Sequence, residues 1–80
     1  MPTLEETTEE VLQLAAKSFL IPRNQLAADD DIFTALDVDS LDFQILLSLV
    51  DEHFGIELPD YEVQTATSFR SLGARIHARR

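Results

Sequence analysis

The chain has 80 residues, of which 45% are hydrophobic and 26% charged, and a formal net charge of −9. That is room for a single globular domain over residues 1–80 with a modest core, and it excludes a disordered tail or a collagen-like repeat. The lack of cysteine excludes disulfide scaffolds and cysteine zinc sites.

The charge is unevenly placed. Residues 1–62 hold fifteen acids against two cations, Lys17 and Arg23, a formal −13. Residues 63–80 hold four arginines and no acid. An acidic body repels phosphate backbones, so no nucleic-acid partner is expected. It suits a small protein that docks on basic patches of larger ones. The first ten residues are acidic with no apolar run, so no signal peptide is expected, and no stretch approaches a membrane span. A cytoplasmic monomer is the expectation.

Residues 4–19 are predicted as the first helix. Thr3 and Glu6 have capping-box spacing, and Glu5, Glu6, Glu9 and Glu10 crowd the first turns, where the helix dipole favours acids. Leu4, Thr8, Val11, Leu12, Ala15 and Phe19 form one apolar face, and Pro22 blocks continuation.

Residues 20–38 read as one long loop. Ile21, Leu26, Ile32, Phe33 and Leu36 would pin it to the core, and Asp29, Asp30 and Asp31 would form a surface acidic cluster. Loops this long in small domains are often functional.

The second helix spans 40–54, with Phe43, Leu46, Leu47, Val50 and Phe54 as its core face and Gly55 as its stop. Pro59 and Asp60 open a short helix over roughly 60–66. Ser68 caps a last helix, 69–79, with Phe69, Leu72 and Ile76 inward. No run alternates as a strand does. The predicted fold is all-α: a four-helix bundle with three main helices and one short helix, and a long loop between helices one and two.

The second helix has more apolar residues than a core face needs. Leu41, Ile45 and Leu49 form a second stripe beside Asp42, Asp51 and Glu52. A helix in so small a domain cannot be buried all round. Leu41 and Ile45 are expected at the surface, and Leu49 either there or under the long loop. An apolar strip rimmed by acids has the outline of a docking surface.

Ser40 opens this helix. Taken alone, a serine there is a cap, and its loss would cost about 1 kcal/mol. A helix start following a long loop can also project from the body and offer free N–H groups to a phosphate. Nucleophilic catalysis by Ser40 requires a base. His53 is more than three turns along the same helix and His77 is expected in an exposed tail, so no catalytic residues are assigned. The acids do not follow a calcium-loop pattern either. Counted from Asp29 or from Asp37, position five is Phe33 or Leu41, so no metal site is assigned.

Three strings now stand together: Asp39-Ser40-Leu41-Asp42; then Asp51-Glu52-His53-Phe54-Gly55-Ile56-Glu57-Leu58-Pro59-Asp60; then Ala66-Thr67-Ser68-Phe69. The run resembles the acyl carrier protein family without gaps from Leu36 to Ile76. The resemblance implies a bundle that is not itself an enzyme. It implies that Ser40 receives 4'-phosphopantetheine from coenzyme A through a separate Mg²⁺-dependent phosphopantetheinyl transferase, and that the arm's thiol holds acyl groups as thioesters. A protein without cysteine can thereby take part in thioester chemistry. The resemblance also makes the second helix the recognition helix. Asp39, Leu41, Asp42, Ile45, Asp51 and Glu52 would meet basic and apolar patches on acyl-transferring, synthase or ligase enzymes.

The chain departs from the pattern common in fatty-acid carriers. Gln44 stands where a valine is common, Ile45 where a docking glutamate is common, and Ser48 where methionine is common. These departures favour a specialised stand-alone carrier, for polyketide or other specialised lipid chemistry, over the housekeeping one. Asp39 before the serine favours an acyl carrier over a peptidyl or aminoacyl carrier. The alternative of another class is an unmodified helical interaction domain that uses the Leu41–Ile45–Leu49 stripe to bind a partner.

Overall fold

The computed structural model describes residues 2–80. Helix α1 runs Leu4–Phe19. It begins where a capping box satisfies two end groups: the Glu6 N–H donates to Thr3 Oγ1 at 3.1 Å, and the Thr3 N–H donates to Glu6 Oε1 at 3.2 Å. It ends at Leu20, which is left-handed (φ 57°) and 91% exposed. The helix has therefore already stopped before Pro22. On the buried face, Thr7 and Thr8 lie with Val11, Leu12, Ala15 and Ala16, whereas Leu4 is exposed.

The predicted loop 20–38 contains structure of its own. A 3-10 turn spans Arg23–Gln25, and helix α2 spans Ile32–Leu36. The bundle thus has two short helices where one was expected. Five residues carry too little periodicity to reveal a helix, and α2 owes its place to its ends. Asp31 caps it, accepting from the Thr34 N–H at 2.9 Å, while Ile32 and Leu36 are buried. The three aspartates lie at the surface, Asp29 and Asp31 exposed and Asp30 half-buried, but each has its own task. Asp29 pairs with Arg70, Asp30 accepts from the Ala27 N–H, and Asp31 is the cap. The Ile32 N–H donates to the Thr67 carbonyl at 2.7 Å, and the Arg70 N–H to that of Ala28 at 2.8 Å. These bonds tie the connection to the start of the last helix.

Helix α3 is Ser40–Phe54, as expected, and ends at Gly55 with φ 66°. No side chain crowds Gly55, so glycine is needed there for its left-handed backbone alone. Helix α4 covers only Asp60–Val63, three residues short of the expected 66. Helix α5 is Phe69–His77, capped by Ser68, and stops two residues before the expected end. No strand occurs among the described residues beyond one isolated bridge between Asp31 and Ser68.

The core lies where α1, α3 and α5 meet. Val11, Ala15, Leu46, Val50, Phe69, Leu72 and Ile76 are all at 0% exposure. Leu47 and Phe54, expected in the core face of α3, are only half-buried. Helices α1 and α5 approach closely at Gly73, where an added Cβ would lie against Thr8, 3.1 Å from its Cα.

His77 is not an exposed tail residue. It is half-buried, with Nδ1 3.3 Å from Oγ1 of the fully buried Thr7. Arg80 donates to the same hydroxyl at 3.1 Å and to Glu10 at 2.7 Å, and its guanidinium lies 5.0 Å from the centre of the Phe54 ring. The chain end is thereby fastened to α1 and to the end of α3.

Candidate functional site

The start of α3 is built by two neighbouring residues with different tasks. Asp39 has extended backbone, and its Oδ1 accepts the Asp42 N–H at 3.0 Å. Asp39 is therefore the cap. Ser40 is the first helical residue, and it is exposed. A capping serine would spend its oxygen on the backbone, whereas this one faces outward. The turn before it is fixed by Asp37, left-handed at φ 54°, and by the Val38 N–H donating to the Phe33 carbonyl at 3.2 Å. Helix α2 thus holds the Ser40 corner in position.

Ser40 opens on a cleft of about 310 Å³ between α2, α3 and α4. Ser40, Phe43, Gln44 and Leu47 supply the α3 wall, Phe33 the α2 wall, and Asp60 and Val63 of α4 with its C-cap Gln64 the third. The rings of Phe33 and Phe43 pack with centroids 4.8 Å apart, tilted by 38°. Phe43 is 7% exposed and joins this surface to the core. The cleft was not foreseen. The i, i+3, i+4, i+7 spacing of Ser40, Phe43, Gln44 and Leu47 puts them on one face, but nothing local says that α2 and α4 flank it.

The second stripe of α3 lies around the side from this cleft. Leu41 is 68% and Ile45 51% exposed. Leu49 is half-buried and stands outside the residues packed on the core. Of the acids assigned to this face, Asp39 and Glu52 are exposed and Asp42 is half-buried. Asp51 is turned inward: its Oδ1 is buried with no hydrogen-bond partner. Burial pushes its carboxyl above the ordinary aspartate range, and neighbouring Glu57 adds to this; the Leu58 backbone N–H works the other way.

Among the described residues neither histidine is placed to activate Ser40. His53 is exposed, edge-on to Phe54, and thirteen residues along α3, about 20 Å at 1.5 Å per residue. His77 is engaged with Thr7 on α1. No group of three or more metal-ligating side chains gathers among the described residues.

The family model described as a phosphopantetheine attachment site matches residues 9–76. The chain belongs to the acyl carrier protein family. Three acyl carrier proteins are similar to it over most of their length. That of Campylobacter hominis is 31% identical over 67 residues, 84% of this chain and 85% of that protein. That of Lactobacillus johnsonii is 31% identical over 62 residues, 78% of each. That of Helicobacter hepaticus is 27% identical over 73 residues, 91% of this chain and 96% of that protein. The protein is accordingly a carrier and not a catalyst, and its prosthetic group is covalent 4'-phosphopantetheine. An exposed hydroxyl on the first turn of a helix, beside a cleft with apolar walls and amide rims, fits such a group.

Proposed function

We propose that Ser40 is the attachment residue and that the carrier presents acyl groups to partner enzymes from it. The observation that carries this reading is the division of labour at the start of α3: Asp39 supplies the cap, which leaves the exposed Ser40 hydroxyl free. On a phosphopantetheinyl transferase the Ser40 Oγ–phosphorus bond forms as the pyrophosphate bond of coenzyme A breaks. The hydroxyl proton passes to the transferase and the nucleotide leaves. The arm then supplies a thiol that holds acyl groups as thioesters. This chain's own part is to fix the attachment point on a rigid helix and to display a surface that partners recognise.

That surface is Asp39, Leu41, Asp42, Ile45 and Glu52. Exposed apolar side chains at 68% and 51% give contact area, and the acids steer basic patches towards it. Asp51 contributes field rather than direct contact, because its carboxyl is turned inward. Partners are the transferase and acyl-transferring, synthase or ligase enzymes. Gln44, Ile45 and Ser48 support a specialised polyketide or lipid pathway, with the carrier acting as a cytoplasmic monomer. Among the described residues no helix is long and apolar enough to cross a membrane.

Intact mass after incubation with coenzyme A, Mg²⁺ and a broad-specificity transferase tests the assignment. The wild type gains one phosphopantetheine and Ser40→Ala gains none, with stability within about 0.5 kcal/mol of wild type because an exposed, non-capping side chain is removed. Modification of the folded Ser40→Ala protein would refute it.

A further inference from the structure

The cleft beside Ser40 has two chemistries. Its floor is apolar, made of Phe33, Phe43, Leu47 and Val63. Its rim carries the primary amides of Gln44 on α3 and of Gln64, the residue that ends α4, both exposed. From Ser40 to Leu47 the α3 wall rises about 10 Å. A volume of about 310 Å³ is at the small end of sites that hold small molecules and cofactors. The pantetheine arm alternates in the same way, with methyl and methylene groups separated by secondary amides.

We propose that Gln44 and Gln64 bind the amides of the Ser40-borne arm, so that the resting arm lies in this cleft instead of swinging free. Each glutamine side chain offers both a donor and an acceptor and so matches a secondary amide in either sense. The methyl and methylene groups rest on Phe33, Leu47 and Val63. Asp60, also on the wall, can accept from an amide N–H. Gln44 is the residue that departs from the valine common at its position in fatty-acid carriers, and a valine there offers no partner to an amide. The occupant is the arm itself because Ser40 is part of the cleft wall. The proposal rests on attachment at Ser40.

The test uses the full chain loaded with a ¹⁵N-labelled arm, checked by intact mass, and compared with the loaded Gln44→Val/Gln64→Ala double variant. Both substitutions are at exposed positions, so the variant keeps the fold. The arm amides of the wild type are expected to have order parameters above about 0.6 and contacts to the Leu47 and Val63 methyl groups, whereas in the double variant the order parameters fall below about 0.6 and the contacts vanish. Arm amides that are mobile in the wild type, or equally ordered in the double variant, overturn the docking of the arm while the mass gain leaves attachment standing. Absence of any mass gain overturns both.

Discussion

At the scale of single residues, the informative positions are those whose surroundings contradict their type. Asp51 is a carboxylate half withdrawn from water, with one oxygen unpartnered. Its folded pKa is raised by burial, so the folded state binds more protons than the unfolded one between the ordinary aspartate value and the raised one. Stability therefore falls as pH rises through that window. Asp51→Asn is expected to be more stable than wild type at pH 7, with the advantage shrinking as pH approaches about 3.9. Denaturant midpoints across pH measure this, and an unchanged midpoint at pH 7 would sink it. Gly73 is the second such position. An alanine gains about 1 kcal/mol of helix propensity there. Its Cβ, however, meets the Thr8 backbone and side chain, an overpacking of about 1–3 kcal/mol. A net loss of stability is expected, read from urea unfolding. A stabilised Gly73→Ala would mean that α1 and α5 part more easily than this packing implies.

At the scale of elements, α3 is decided at its ends as much as along its face. Asp39 caps it and Gly55 stops it. Asp39→Ala should cost about 0.5–2 kcal/mol, and Asp39→Ser should recover most of that, since serine also caps. If Asp39 contributes charge to docking as well, Asp39→Ser restores stability but still slows loading by the transferase. Comparing melting with loading rate separates the two contributions. The connection between α1 and α3 was legible only as a set of anchors. Ile32 and Leu36 are indeed buried, and Asp30 and Asp31 bond locally, but the pairing of Asp29 with Arg70 and the bond from Ile32 to Thr67 depend on residues far along the chain. The same distance explains His77. Nothing near it in sequence announces Thr7, its partner seventy residues away.

At the scale of the whole molecule, the arginine-rich end serves the fold. Arg70 pairs with Asp29, Arg79 with Glu62 and Arg80 with Glu10, while Arg75 donates to Thr65. Arg23 forks onto both oxygens of Glu9, at 2.6 and 2.7 Å, and holds that carboxyl below the usual glutamate range. These pairs are partly exposed, so each adds little alone. Their larger effect is on the field. Among the described residues none of these ion pairs uses an acid of α3, so cations are drawn to α1, α4 and the connection while α3 stays negative. Association with a basic partner is therefore expected to slow as salt rises from about 0.01 to 0.15 M, where the screening length drops from about 30 to 8 Å. Stopped-flow rates that are flat across that range would exclude steering.

By itself, the sequence determined three helices, the exposed Leu41–Ile45 stripe and Ser40 at a helix start. Each of these is a local periodic or capping signal, readable within about two turns. Only the tertiary structure decided that Asp39 and not Ser40 is the cap, that Asp51 turns inward, that α2 and α4 enclose a cleft beside Ser40, and that the basic end binds back on the body. The cleft and the folded-back basic end depend on contacts between residues far apart in the chain, whereas the cap bond is local but Asp39 and Ser40 are both capping types, and a linear pattern does not record which side chain will take the bond.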